Sequence, residues 1–266
     1  MNKWVGEYYA CSWGEAIENS LPKWVKYGKR AERANRKALA VSESQVPPPP
    51  DHLKLTPDQQ NAFTKIQHAL ETPSPRPMLL YGVTGSGKSE VYIRAIKEVL
   101  ALGGSVICMV PEIALTEQLR LFFLRHFHED LEMLHSKLGE AERFQTWRKL
   151  SLGHKRVVLG PRSAVFAPVQ NLRLIILDEE HEGSYKQETA PRYHAREVAL
   201  WRAQNENALL LMGSATPSLE TMHRAMQGEV EQIDLRTRIH DKDMPKVQIY
   251  DLKQMQGQKR PPILSP

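Results

Sequence analysis

The sequence has few cysteines, no long apolar run and no strong charge of either sign. Only two cysteines, Cys11 and Cys108, occur in its 266 residues. This number excludes a disulfide framework and a four-cysteine zinc site. The longest apolar runs, such as residues 174–177, are far shorter than the roughly 20 residues that a membrane-spanning helix needs. The first ten residues include Lys3 and Glu7 and contain no apolar signal core, so we expect a cytosolic protein without a membrane partner.

The composition is that of an ordinary folded protein. Lys and Arg number 36 against 31 Asp and Glu, which gives a formal net charge of +5. An excess of this size permits an anionic partner such as nucleic acid, although many unrelated cytosolic proteins carry as much. Hydrophobic residues make up 41% and charged residues 25%, which excludes collagen-like and wholly disordered classes.

After four consecutive prolines at 47–50, short apolar strands alternate with amphipathic helices. A run of prolines stays extended, so we place a boundary there. Apolar strands between amphipathic helices predict a parallel sheet that is covered on both faces. The predicted helices are 58–70, 88–102, 112–127, 140–152, 192–204 and 218–226, and the predicted strands are 78–81, 105–110, 131–134, 157–159, 172–177 and 208–212. Aromatic residues at helical spacing also predict one short helix within residues 1–22, with no evident packing partner.

Residues 82–89 fit the phosphate-binding loop pattern at every fixed position, with a strand before them and a helix after. Glycines let backbone N–H groups turn towards a phosphate, and the helix N-terminus adds the positive end of its dipole. Lys88 supplies a charge for the β- and γ-phosphates, and Ser89 supplies a hydroxyl ligand for Mg²⁺. The predicted ATP-binding residues of this loop are Gly82, Val83, Thr84, Gly85, Ser86, Gly87, Lys88 and Ser89.

Two further strands end in residues that can act on a nucleotide. The first ends in Asp-Glu-Glu-His at 178–181, at the carboxyl edge of the sheet where ligands bind. Asp178 is predicted to hold Mg²⁺ through its water shell, and Glu179 to orient and polarise the attacking water as general base. The second strand is followed by Ser214 and Thr216, whose hydroxyls can bridge a nucleotide site and a second ligand. The same residues would also suit a plain helix cap.

These motifs, in this order, resemble the superfamily 2 helicases. The resemblance narrows where the acidic motif is followed by Ser-Tyr-Lys-Gln at 184–187 and Pro-Arg-Tyr-His-Ala-Arg at 191–196. This segment is similar to the PriA family of primosomal replication-restart helicases. The match runs from about Leu55 to Leu252, and the aromatic residues of the first 22 positions resemble the end of the family's winged-helix region.

The resemblance implies a fold and a division of the chain. The fold is an α/β RecA-like P-loop NTPase lobe with a parallel sheet between helices, preceded by a short helical remnant of a winged-helix region. The implied parts are a helical extension (1–46), a proline-rich linker (47–54), a helicase ATP-binding lobe (55–235) and the start of a connection to downstream modules (236–266).

The resemblance also assigns roles to residues. It implies that Lys88 and Glu179 are catalytic and that Gln59 recognises adenine. Tyr185 and Tyr193 would stack on bases, while Lys186 and Arg192 would attract phosphate. The residues implied in DNA binding or coupling are Arg162, Tyr185, Lys186, Arg192, Tyr193, Ser214 and Thr216.

The implied function is that of an ATP-dependent 3′-to-5′ DNA helicase of replication restart, with ATP and Mg²⁺ as cofactors. The implied partners are single-stranded and forked DNA, single-strand-binding protein and primosome proteins. Zinc belongs to the complete family protein, and we expect no zinc site in this chain. We read the chain as lacking the family's second motor lobe with its arginine finger, so a motor-inactive fragment that binds DNA and nucleotide is an alternative. The Ser-Ala-Thr element and the aromatic loop argue against a third possibility, a small-molecule P-loop kinase.

Overall fold

The protein is represented by a computed structural model that describes residues 1–26 and 54–237. The predicted linker lies outside these residues except for Lys54, and so do positions 27–46 of the extension and 238–266 of the tail. The proposed division into parts therefore stays a prediction. No helix in the two described ranges is both long and apolar enough to cross a membrane.

One parallel sheet organises the described part of the chain. Its strands are β1 (Met78–Gly82), β2 (Ser105–Met109), β3 (Leu131–Met133), β4 (Val157–Gly160), β5 (Leu172–Asp178), β6 (Leu209–Ser214) and β7 (Glu231–Leu235). They lie in the order β3-β4-β2-β5-β6-β1-β7, and every neighbouring pair is parallel. The register places Gly213 on β6 between Leu80 of β1 and Asp178 of β5. The carboxyl ends of these three central strands therefore meet at one edge of the sheet.

Helices cover both faces of this sheet, as the apolar strands predict. They are α1 (Asn2–Tyr8), α2 (Trp13–Ser20), α3 (Lys23–Lys26), α4 (Pro57–Glu71), α5 (Lys88–Ala101), α6 (Glu117–Phe127), α7 (Glu140–Ser151), α8 (Ala195–Glu206) and α9 (Leu219–Met226). Successive strand residues point to opposite faces. Leu80 and Ile176 accordingly pack with α4 and α5, whereas Leu79 and Ile175 pack with α8.

Two predicted helices begin later than their sequence pattern indicates. The helix predicted over 112–127 is a short 3₁₀ turn, Glu112–Ala114, followed by α6. Thr116 separates the two because its side chain accepts a hydrogen bond from the N–H of Leu119 and so caps α6. The helix predicted from 192 begins at Ala195, because His194 is extended and pairs back with Lys186.

Strand β7 and the second N-terminal helix were missed. β7 alternates polar and buried residues at the sheet edge, so it lacks the apolar run that marks the central strands. Residues 1–22 contain two helices rather than one, because Ala10 adopts a positive φ of 50° and Ser12 caps α2.

The N-terminal helices pack on the face of the sheet that α8 covers. Trp4 of α1 stacks on Trp201 of α8 with 5.3 Å between ring centroids, and Val5 is buried in the same cluster. The N–H of His194 donates to the Tyr9 hydroxyl over 3.1 Å. The sequence did not reveal a packing partner for the N-terminal helix. The structure shows that this partner is α8 together with the segment before it.

Candidate nucleotide site

The phosphate-binding loop joins β1 to α5. Gly85 and Gly87 have φ values of 83° and 82°, a left-handed conformation that glycine adopts without strain. Lys88, the first residue of α5, is largely buried, and its Nζ donates to the carbonyl of Gly82 over 2.9 Å. A side chain at Gly82 would begin 2.6 Å from the hydroxyl of Ser86. The loop is therefore a close-packed turn that holds the lysine ammonium at the end of β1.

The donors of this loop fit a phosphate and a divalent cation. The Ser86 hydroxyl is buried, and it has no hydrogen-bond partner within the described residues. Such a group is costly unless another partner satisfies it, and a phosphate oxygen would do so. Ser89 is exposed beside it and is free to offer its hydroxyl to a cation. The loop therefore suits a phosphate group with Mg²⁺.

Asp178 ends β5 at the same edge. Its Oδ1 accepts a hydrogen bond from the hydroxyl of Tyr92 on α5 over 2.9 Å. Burial raises the pKa of Asp178, and the hydrogen bond from Tyr92 opposes part of that rise. A divalent cation nearby would favour the ionised carboxylate. This arrangement agrees with the predicted Mg²⁺ role of Asp178, and that role stays a prediction.

Glu179 directs its carboxylate towards the phosphate loop. Its φ of 46° is unusual for a residue other than glycine, and such strain is characteristic of functional positions. Its Oε1 lies 3.8 Å from Nζ of Lys88, and its side chain is one-third exposed. The two predicted catalytic side chains, distant in sequence, are therefore adjacent in the fold.

His181 joins the acidic motif to the Ser-Ala-Thr element. Its Nδ1 lies 2.8 Å from the hydroxyl of Ser214, and its Nε2 lies 3.4 Å from that of Thr216. The Nδ1 atom is also 3.7 Å from Glu179. Ser214 is fully buried, so it is not a direct DNA contact, whereas Thr216 is exposed. His181 therefore joins the acidic motif to both hydroxyls, and the predicted coupling role of Ser214 and Thr216 stays a prediction.

Glu180 is a buried carboxylate to which the sequence assigned no role. Its Oε2 lies 3.2 Å from Nη1 of Arg196, and it also accepts from the Thr221 hydroxyl. Its Oε1 accepts from the N–H of Ser218 over 2.7 Å. A buried charge persists where it is paired and fully hydrogen-bonded. Glu179 and Glu180 are adjacent in the sequence. Nothing in the sequence pattern indicated that the Glu180 side chain would turn inward while the Glu179 side chain turns towards the phosphate loop.

Gln59 has a different environment from the one predicted. Its amide oxygen accepts from the N–H of Thr56, and its amide nitrogen donates to the carbonyl of Ser86. The side chain is only 2% exposed. In this structure it therefore ties the start of α4 to the phosphate loop and presents no free amide edge to adenine.

The prediction that Tyr185 and Tyr193 stack on bases is wrong. Their exposed fractions are 0% and 1%, so neither ring offers a face to a base. The Tyr185 hydroxyl donates to the carbonyl of Asp178 over 2.6 Å, and the Tyr193 ring packs edge-on against Phe166. Burial raises the pKa of Tyr193 to about 12, although Arg162 opposes the rise. A loop position suggested that both tyrosines would be exposed. They belong to the hydrophobic core instead, because burying their large apolar rings is favourable.

The three predicted cationic contacts differ in accessibility. Arg162 donates from Nη1 to the carbonyls of Lys186 and Ser184, so its guanidinium supports the loop backbone. Lys186 lies over the ring of Tyr9, with Nζ 5.5 Å from the centroid, and it donates to the carbonyl of Arg192. Arg192 is exposed. Lys186 and Arg192 remain accessible for a phosphate, and their DNA contact stays a prediction.

The chain is similar to known helicases in sequence and in fold. Residues 56–225 match the family DEAD/DEAH box helicase. The chain is 45% identical over 202 residues to the replication restart protein PriA of Bacillus subtilis (strain 168), across 76% of this chain and 25% of that protein. It is 48% identical over 182 residues to the same protein of Chlamydia pneumoniae, across 68% of this chain and 24% of that protein. The structure of RecG bound to a three-way DNA junction has a TM-score of 0.50 at 24% identity, across 71% of this chain and 25% of that chain.

The fold is an α/β RecA-like lobe with a phosphate-binding loop, and the chain belongs to the DEAD/DEAH box helicase family. The narrower resemblance to the PriA family is confirmed by the two replication restart relatives. The RecG likeness supports the fold alone, and the predicted RecA-like lobe is confirmed. The chain spans about a quarter of the length of these relatives.

Proposed function

We propose that this chain is the ATP-binding first motor lobe of a 3′-to-5′ DNA helicase that acts in replication restart. The observation that carries the proposal is the meeting of Lys88 and Glu179, 3.8 Å apart, in a chain 45% identical to a replication restart protein. ATP and Mg²⁺ are the proposed cofactors. Single-stranded and forked DNA, single-strand-binding protein and primosome proteins are the proposed partners.

The proposed chemistry is ATP hydrolysis at the edge of the central strands. The phosphate loop binds the phosphates through backbone N–H groups, and Lys88 contributes a positive charge at the β- and γ-phosphates. Ser89 and Asp178 would hold Mg²⁺, which when bound neutralises charge that develops on the phosphate oxygens. Glu179 orients a water molecule and accepts its proton as general base. Its partly exposed carboxylate beside the loop supports this assignment.

Two other features support a motor rather than a simple nucleotide-binding protein. His181 contacts both the acidic motif and the Ser-Ala-Thr element, so a change at the γ-phosphate can reach the segment that leads to α9. The accessible cations Lys186 and Arg192 follow the acidic motif closely in sequence. We propose that they bind the phosphate backbone of a DNA strand, with an affinity that falls as salt rises.

The test is calorimetric titration of ATP with Mg²⁺ into the chain and into Lys88→Ala. A charge-assisted hydrogen bond contributes about 1.5–3 kcal/mol, so we expect the affinity to fall by about tenfold or more. Lys65→Ala is the matched control, because Lys65 of α4 is paired with Glu231 at the start of β7, which lies beside the beginning of β1 rather than beside the phosphate loop. Equal affinity of the Lys88 variant and the parent chain would overturn the nucleotide assignment.

A further inference from the structure

Helix α5 carries two side chains that meet the acidic motif. Lys88 and Tyr92 are four residues apart, so they lie one turn apart on the same face of the helix. Nζ of Lys88 lies 3.8 Å from Oε1 of Glu179, whereas the hydroxyl of Tyr92 donates to Oδ1 of Asp178 over 2.9 Å. The helix that begins at the phosphate loop therefore contacts both consecutive carboxylates, one through a cation and the other through a neutral donor.

The contact between Tyr92 and Asp178 is enclosed by the fold. The Tyr92 side chain is buried, and a buried hydroxyl is costly unless it finds a hydrogen-bond partner. Within the described residues, the Tyr92 hydroxyl meets this need by donating to Asp178. An ionised carboxylate can only accept hydrogen bonds, so the direction of this one is fixed. Each of the two groups therefore holds the other in place.

The neighbouring strand leaves room for this hydrogen bond. Gly213 of β6 pairs with Asp178 of β5 in the register of the sheet. A Cβ atom at Gly213 would overlap the Tyr92 hydroxyl and would lie 3.3 Å from Oδ1 of Asp178. Three separate segments, α5, β5 and β6, are therefore shaped around one hydrogen bond. Packing of the Tyr92 ring alone would not require the hydroxyl to reach this carboxylate.

The hydrogen bond makes the two oxygens of the Asp178 carboxylate unequal. Tyr92 engages Oδ1, which leaves Oδ2 as the oxygen that can serve a cation or the water bound to it. Mg²⁺ demands a near-ideal octahedral arrangement and gives up its waters reluctantly, so a single oxygen held in a fixed position suits it. Ca²⁺ tolerates a flexible arrangement and readily binds a carboxylate through both oxygens. A carboxylate with one engaged oxygen therefore favours Mg²⁺.

We propose that Tyr92 is a positioning residue that makes the nucleotide site selective for Mg²⁺ over Ca²⁺. Its hydroxyl holds Oδ1 of Asp178, so that the carboxylate presents one oxygen to the cation that accompanies the nucleotide. This inference rests on the proposed function, because it takes Asp178 as a residue that holds the cation. Tyr92 acts through Asp178, and its effect should therefore depend on which cation is supplied.

The experiment compares cations in the 266-residue chain. The affinity for a non-hydrolysable ATP analogue is measured by calorimetry in Mg²⁺, in Ca²⁺ and in a chelator without either cation. Tyr92→Phe keeps the ring and releases Oδ1 of Asp178. We expect its affinity in Mg²⁺ to fall by about 10- to 100-fold, the usual effect of losing a group that orients a metal ligand. The affinity in Ca²⁺ should fall by clearly less, and the affinity in chelator should equal that of the parent chain.

Further variants test whether the effect passes through Asp178. Gly213→Ala keeps the Tyr92 hydroxyl but displaces it, so it should lower the Mg²⁺-to-Ca²⁺ affinity ratio as well, and it serves as the test if Tyr92→Phe does not fold. In an Asp178→Asn background, adding Tyr92→Phe should leave the ratio unchanged, because contacting residues are not additive. Tyr9→Phe is the matched control, since it loses a hydroxyl that contacts the N–H of His194 instead.

The outcomes separate the two proposals. A parent chain that binds no nucleotide in any of the three solutions removes the proposed function, and this inference with it. A parent chain that binds the nucleotide equally in Mg²⁺ and in Ca²⁺ overturns the inference alone. An unchanged affinity ratio in Tyr92→Phe does the same, including an equal loss for both cations, which a purely structural role would give. A lower ratio in Tyr92→Phe, with the parental ratio in Tyr9→Phe, supports the positioning role.

Discussion

The hydroxyl of Tyr92 on α5 donates a hydrogen bond to Asp178 at the end of β5, directly over Gly213. A Cβ atom at Gly213 would lie 1.6 Å from the Tyr92 oxygen, so no other residue fits while the two remain bonded. The glycine that precedes the Ser-Ala-Thr element therefore permits a contact between the phosphate-loop helix and the acidic motif. Glycine is required at position 213 because the Tyr92 hydroxyl approaches the backbone so closely.

Gly213→Ala is expected to destabilise the fold by about 1–3 kcal/mol, the usual cost of overpacking. The added methyl group displaces Tyr92, so Mg²⁺-dependent nucleotide binding should weaken as well. Gly183→Ala is the control, because no atom lies within 4 Å of the Cβ position there. Urea denaturation and calorimetry check both effects, and a Gly213 variant as stable as the Gly183 variant would contradict the packing argument. Adding Tyr92→Phe to Gly213→Ala should recover part of the loss.

Asp178→Asn is expected to raise the melting temperature at neutral pH while it weakens Mg²⁺-dependent ATP binding. Burial raises the pKa of Asp178 above its ordinary value of 3.8. Its stabilising contribution is therefore fully present below pH 3.8 and is lost as pH rises through the folded-state pKa. Asparagine does not ionise and avoids that loss. The gain should shrink as pH falls, which melting curves across a pH series would reveal.

Asp234→Asn is a control for which we expect the opposite change in stability at neutral pH. Hydrogen bonding from Gln232 lowers the pKa of Asp234. Its contribution is present above its unfolded-state pKa and is lost as pH falls through the folded-state value. The asparagine variant should therefore be less stable than the parent at neutral pH. If Asp178→Asn also destabilises the chain at neutral pH, the burial argument for Asp178 is wrong.

Glu179→Gln should retain ATP binding and lose hydrolysis by roughly 10²- to 10⁴-fold, the usual contribution of a general base. The amide keeps the shape of the side chain but cannot take a proton from water. Glu182→Gln serves as the control, since Glu182 directly follows the motif and is the N-cap of the short 3₁₀ helix Gly183–Tyr185. Phosphate release is measured in an active helicase that contains this lobe, with single-stranded DNA present. Parental turnover by the Glu179 variant would exclude it as the base.

Trp4→Ala should lower the free energy of unfolding, because Trp4 stacks on Trp201. A double-mutant cycle between the two tryptophans should give a coupling energy of about 0.5–1.5 kcal/mol. Trp13→Ala is the control: its side chain is 57% exposed, so we expect a change within about 0.5 kcal/mol. Additive effects of the Trp4 and Trp201 substitutions would mean that α1 does not pack on α8 in solution.

Local sequence patterns were sufficient to predict the local parts of the fold. The strand–helix alternation and the pattern of residues 82–89 predict the phosphate loop where β1 meets α5, because both signals depend on neighbouring residues only. The run of apolar residues that ends at Asp178 likewise predicts a carboxylate at the edge of a parallel sheet. The PriA resemblance rests on the same kind of local pattern.

Contacts between residues that are distant in sequence, and the direction of each side chain, depend on the tertiary packing. The order of β5, β6 and β1 brings Glu179 to within 3.8 Å of Lys88, and strand order is not encoded in any local pattern. Burial decided the direction of the tyrosines. Tyr185 has the residue type of a stacking platform, yet the fold gains more by enclosing its ring and satisfying its hydroxyl on the Asp178 carbonyl. Glu180 turned inward because Arg196, Ser218 and Thr221 compensate its buried charge, and this pairing depends on the packing of α8 and α9 against the sheet.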